Sequence, residues 1–174
     1  MSAVGERNDY GLTPGDRYHI LTTCRTIAMV GLSSNYYNAS SFAAIYLDAN
    51  GYDIVPVNPA QAGKREIMGR RVYADLLEAA ANHPHPIEIV DVFRPAQEAS
   101  GIAKQAIEIG AKVLWMQLGV INEEAAEMAR AAGLAVVMDR CCKIEHARFF
   151  GGLRIIGLNT GVLTSRLAIR LPEG

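Results

Sequence analysis

Four short segments of this chain combine residue types suited to holding a phosphorylated ligand. Gly31-Leu32-Ser33-Ser34 sets a residue without a Cβ beside two hydroxyls, directly after an apolar run. Glycine lets backbone approach a ligand closely. Serine hydroxyls and the free N–H groups of a following helix favour an anion. The same segment also reads as a plain strand-to-helix turn with a serine cap, with Ser40 or Ser41 as the capping residue. No full G-x-G-x-x-G is present to separate the two readings.

The other three segments are Val57-Asn58-Pro59, Phe93-Arg94-Pro95 and Gln117-Leu118-Gly119-Val120. Arg94 offers a planar fork for phosphate or carboxylate, or a surface ion pair. Asn58 stands where an NAD enzyme normally carries the acid that holds the ribose hydroxyls. Ordinary NAD use is therefore disfavoured, while NADP stays open. Lys64, Arg65, Arg70 and Arg71 form a loose basic stretch, either a solvated face or a contact for an adenosine phosphate. Cys142 and His146 share one helical face by spacing. Without a C-x-x-C or a fourth ligand they suggest buried structural groups, not a metal site. No catalytic residue is assigned.

These segments fall at the ends of apolar runs. Residues 26–30, 52–57, 87–93, 112–116 and 134–138 read as five short strands. Helical patterns alternate with them, from about residue 16 to 24, 40 to 49, 74 to 81, 97 to 109 and 122 to 132. The alternation predicts an α/β fold, a doubly wound Rossmann-like five-stranded parallel sheet with helices on both faces. The expected order is 3-2-1-4-5, which puts the ligand crevice between strands one and four. The 174 residues read as a single domain, with residues 1–15 a loose lead-in and 147–174 a Gly-rich tail.

Composition narrows the function classes. With 17 Lys+Arg against 18 Asp+Glu, the formal net charge is −1. A non-specific nucleic-acid binder would carry a basic excess. No apolar run reaches the roughly 18–20 residues of a membrane span. Three cysteines, two of them adjacent, are not a disulfide framework and suit a reduced, cytoplasmic setting.

Five segments, in order along the chain, resemble the stand-alone CoA-binding domain family. They are Thr26-Ile27-Ala28-Met29-Val30-Gly31-Leu32-Ser33, Gly51-Tyr52-Asp53-Ile54-Val55-Pro56-Val57-Asn58-Pro59, Ile89-Val90-Asp91-Val92-Phe93-Arg94, Gly110-Ala111-Lys112-Val113-Leu114-Trp115-Met116-Gln117-Leu118-Gly119 and Ala131-Ala132-Gly133-Leu134-Ala135-Val136-Val137-Met138-Asp139-Arg140-Cys141. The family is similar in fold to the N-terminal domain of the succinyl-CoA synthetase α subunit. The resemblance implies coenzyme A or an acyl-CoA along the strand ends. Contacts would fall on Gly31, Leu32, Ser33, Ser34, Asn38, Ser40, Val57, Asn58, Pro59, Phe93, Arg94, Pro95, Gln117, Gly119 and Val120.

The resemblance implies a non-catalytic binding or sensing module, with no protein partner specified. The alternatives are an NADP-dependent oxidoreductase and an interaction protein with a vestigial cleft. One departure matters. Family members typically read Arg-Pro-Ser where this chain has Asn38-Ala39-Ser40. A charge-assisted hydrogen bond of about 1.5–3 kcal/mol is missing there, so coenzyme binding is expected to be weaker, or the ligand shifted.

Overall fold

In a computed structural model the described residues are 12–151. The first helix, α1 (Pro14–Thr23), opens on a capping box. The Thr13 side chain accepts from the Asp16 N–H, and the Asp16 carboxylate accepts from the Thr13 N–H. Pro14 and Gly15 thus belong to a helix and not to the lead-in. Strand β1 (Thr26–Val30) is buried along its whole length. Then follow α2 (Ala39–Ala49) and β2 (Asp53–Val57).

A small antiparallel hairpin, β3 (Glu66–Ile67) and β4 (Arg70–Arg71), comes next. Its turn holds Met68 at φ 55° and Gly69 at φ 69°, the paired positive φ angles of a tight hairpin turn. The sequence carries no clear signal for this hairpin, because Met stands where Asn or Asp usually announces such a turn. The chain continues through α3 (Leu76–Asn82), β5 (Ile89–Val92), a 3₁₀ turn at Ala96–Glu98, α4 (Ala99–Glu108) and β6 (Val113–Met116). It closes with α5 (Glu123–Ala131), β7 (Ala135–Val137) and α6 (Cys142–Phe150). Helix α6 reaches into the stretch expected to be a tail; the remainder of that tail lies outside the described residues.

The α/β class is as the alternation of elements requires. Five parallel strands form the main sheet, and strand periodicity divides their side chains between two cores. Ile27, Met29, Ile54, Ile89 and Trp115 pack with Leu21 of α1, Leu47 of α2 and Cys142 of α6. Ala28, Val30, Val55, Val90 and Leu114 pack with Leu76 of α3, Ala103 of α4 and Ala126 of α5. Helices therefore cover both faces.

The order of the strands differs from the expectation. The sheet runs β2-β1-β5-β6-β7. Counting only the five main strands, that is 2-1-3-4-5 and not 3-2-1-4-5. Strand β5 lies beside β1, with Ala28 opposite Val90 and Val30 opposite Val92. Pro56 supplies the reason. It has no N–H, and its carbonyl accepts from the Tyr73 N–H at 3.0 Å, on the outer side of β2. Proline is tolerated at that edge but not between two paired strands, so β2 cannot sit inside the sheet. The point where strand order reverses, and with it the ligand crevice of such folds, moves to the gap between β1 and β5.

Candidate functional site

The crevice forms where β1 and β5 end side by side. The Phe93 N–H donates to the Val30 carbonyl at 2.9 Å, and the Gly31 N–H to the Val57 carbonyl at 2.8 Å. Gly31 has φ +94°. A Cβ on it would lie 2.8 Å from both the Phe93 carbonyl oxygen and the Arg94 Cδ. Conformation and space each demand glycine here.

The turn that follows is braced by hydroxyls. The Ser33 N–H donates to Ser40 Oγ at 3.2 Å, and Ser33 Oγ accepts from the Asn35 N–H at 3.0 Å. Ser41 Oγ reaches the carbonyls of Ser33 at 2.7 Å and Asn35 at 2.8 Å. Asn38 is the N-cap of α2 and makes no side-chain cap bond, so neither Ser40 nor Ser41 caps the helix. Both serines are buried and tie the loop to it. Within Leu32 to Ser34, the Leu32 and Ser33 N–H groups have internal acceptors, at Met29 O and Ser40 Oγ. Among the described residues the Ser34 N–H has none. With the uncapped first turn of α2 it leaves a set of donors for an anion.

Val57 and Asn58 hold this loop from below. Asn58 is buried; its Nδ2 donates to the Leu32 carbonyl at 2.9 Å and its Oδ1 accepts from the Ala60 N–H at 3.0 Å. Both ends of the amide thus have protein partners, and the residue positions the turn. Pro59 is exposed beside it. On the opposite lip, Arg94 is engaged by Glu98 through two bonds, Nε–Oε2 at 2.8 Å and Nη2–Oε1 at 2.7 Å. That pair raises the Arg94 pKa further. The structure thus gives Arg94 an ion pair one helical turn away, while Pro95 opens the 3₁₀ turn.

The third wall is the turn after β6. The Val120 N–H donates to the Gln117 carbonyl at 2.8 Å. Gly119 sits at φ +83°, and its N–H donates to Asp139 Oδ1 at 2.7 Å. Gln117 is 4% exposed and turns inward, where its Nε2 donates to Asp91 Oδ1 at 2.6 Å.

Asp91 is fully buried, and its Oδ2 has no hydrogen-bond partner. Burial pushes its carboxyl up to about 7, with the Gln117 bond opposing in part. The folded state therefore binds a proton that the unfolded chain, with an ordinary value of 3.8, has already released. Stability is expected to fall as pH rises from the ordinary value to the raised one, and to level off above it. Asp91→Asn is expected to abolish that slope and to be the more stable protein under alkaline conditions, by a few kcal/mol at roughly 1.4 kcal/mol per pH unit. Melting temperature against pH for both proteins measures this; parallel curves would refute it.

The four cations of the basic stretch separate in the structure. Arg70 pairs with Asp48 and Arg71 with Glu78, each at 2.6 Å. Lys64 Nζ donates to the Ala60 carbonyl at 3.1 Å. Arg65 alone reaches the first loop, with Nη1 3.3 Å from Ser34 Oγ. A cleft opens there between the loop, α2 and the β3–β4 hairpin, lined by Ser33, Ser34, Tyr36, Ile45, Glu66 and Met68.

The sulfur and imidazole groups are structural. Cys142 is fully buried, and burial pushes its thiol well up; Cys141 is also raised by burial. Neither favours the reactive thiolate. His146 is buried between Tyr46 and Tyr52, with Nδ1 3.0 Å from the Tyr46 hydroxyl, and burial lowers its pKa. Ser41, Asp91 and Arg65 are the site residues that the sequence reading missed or left unresolved. Asp91 carried a signal, an acid inside an otherwise apolar strand.

Comparison with known proteins gives the family and the fold. A profile of the CoA binding domain family matches residues 25–147. The chain is 38% identical over 128 residues to the uncharacterized protein YneT of Bacillus subtilis, spanning 74% of this chain and 90% of that one. A hypothetical protein from Pyrococcus horikoshii superposes with a TM-score of 0.77 at 38% identity, covering 84% of this chain and 99% of the other. A Thermus thermophilus structure gives 0.73 at 29% identity over 80% of this chain and all 100% of that one. No helix among the described residues is long and apolar enough to cross a membrane. With a glycine-tight β1–β5 crevice, open amides beyond it and a family match over most of its length, this chain belongs to the CoA binding domain family.

Proposed function

We propose that the protein binds coenzyme A or an acyl-CoA in the β1–β5 crevice and acts as a binding or sensing module, not as an enzyme. The observation that carries this reading is the unoccupied Ser34 N–H beside the uncapped start of α2, next to a glycine that admits no side chain. The diphosphate would lie over the turn from Gly31 to Ser34. The pantetheine arm would run past Phe93 toward Gln117, Gly119 and Val120. Asn58, Ser40 and Val57 support the turn from behind. The three free cysteines suit a reducing compartment such as the cytoplasm.

A thermal-shift panel tests the reading, because a ligand that binds only the folded state raises the melting point. At about 100 times its Kd, CoA should add about 2.7 kcal/mol of stability, and acetyl-CoA should do so as well. Ser34→Glu puts a carboxylate where the phosphate would sit. It should melt like the parent without ligand and show no CoA shift. A shift with NADP and none with CoA would replace this reading by an oxidoreductase.

A further inference from the structure

We propose that Arg65, carried by the loop that enters β3, is the cation that meets the coenzyme phosphates. The proposal rests on the coenzyme reading above and adds a residue to it.

A ligand with several phosphate charges calls for a guanidinium or ammonium at the turn that receives it. The cations around this site have distinct partners. Arg94 gives one edge of its fork, Nε and Nη2, to Glu98, whose carboxylate neutralises its charge. Arg70 and Arg71 are held by Asp48 and Glu78. Lys64 turns back on its own loop, and Lys143 lies over the Phe42 ring at 5.9 Å. Position 38, at the start of α2, is an asparagine.

Arg65 differs in two respects. Its one hydrogen bond among the described residues is to Ser34 Oγ, a neutral acceptor on the residue whose N–H is open. Its side chain is exposed and makes no ion pair among the described residues. A bond from a guanidinium to a neutral hydroxyl at 3.3 Å is long and weak. A phosphate oxygen at the same place would give a shorter, charge-assisted bond. Arg65 is therefore already aimed at the turn and can exchange Ser34 Oγ for ligand without giving up an ion pair. Glu66, on the same cleft wall, opposes an anion that strays toward the hairpin and so favours placement at the Ser34 end.

Calorimetric titration of the full chain with CoA tests the assignment. Arg65→Gln should weaken binding by about 10–100-fold, the worth of one charge-assisted bond. Arg65→Lys should recover part of the loss, since the charge remains but the fork does not. Arg71→Ala removes a cation held by Glu78 and should leave affinity within about twofold. Unchanged melting temperatures without ligand would show that the exposed substitutions leave the fold intact. The assignment is overturned if Arg65→Gln binds CoA like the parent, or if Arg71→Ala loses as much. If instead the parent itself does not bind CoA, the coenzyme reading falls and takes this proposal with it. Loss on Arg94→Ala with none on Arg65→Gln would move the role to Arg94.

Discussion

Gly31→Ala is expected to destabilise the fold and to abolish coenzyme binding. Two terms add. At φ +94° an L side chain is strained, which costs about 1–3 kcal/mol. The new methyl would also lie 2.8 Å from the Phe93 carbonyl oxygen. That oxygen cannot drift freely, because the Phe93 N–H is held by Val30 at 2.9 Å. Relief must come from parting β1 and β5 at their ends, the place where the ligand would lie. Gly51→Ala separates the terms. Gly51 has φ +87°, yet a Cβ there meets nothing within 4 Å. Urea unfolding of both variants should show a smaller loss for Gly51→Ala, and CoA titration should show a binding defect only for Gly31→Ala. Equal losses would mean that the crevice is not tight at Gly31.

The second large effect lies away from the crevice. Glu145 is 3% exposed and receives Arg17 Nε at 2.8 Å, Arg148 Nη1 at 2.9 Å and Arg140 Nη1 at 3.6 Å. Arg17 is 2% exposed and also donates to the Leu12 carbonyl at 2.9 Å. The Arg17–Glu145 pair joins α1 to α6. Removing one partner of a buried pair leaves a desolvated charge behind and costs about 3–5 kcal/mol. Glu145→Ala should therefore lower the unfolding free energy from urea titration by that amount, with little relief from added salt, since buried pairs are poorly screened. Glu145→Gln keeps the shape and some hydrogen bonding, so it should lose less. A Glu145→Ala protein as stable as the parent would show that α6 is held by its apolar face alone.

This pair also marks a limit of sequence reading. Glu145 and Arg17 are 128 residues apart, and no local pattern links them. The sequence placed Cys142 and His146 on one helical face but did not commit to a helix there, because apolar and polar residues alternate irregularly around Glu145. Docking on α1 and α2, through Arg17–Glu145 and His146–Tyr46, is what gives α6 its place.

The sequence by itself determined the strands and most helices. Residues buried on both faces of a parallel strand are mostly apolar, Asp91 being the exception, and helix caps and stops are local chemistry. It also determined the loops at one sheet edge, since those follow the strand ends directly. Strand order was decided in three dimensions, although Pro56 had already ruled out an inner place for β2. Which side chains still have hydrogen bonds to offer a ligand is likewise a property of the assembled molecule. Arg94, Asn58 and Arg65 look equally available along the chain. The local turn at Pro95–Glu98 lets Glu98 take Arg94, while only packing turns Asn58 to the Leu32 carbonyl and leaves Arg65 beside Ser34. Secondary structure depends on neighbours in sequence, whereas availability depends on what the fold brings within hydrogen-bonding distance.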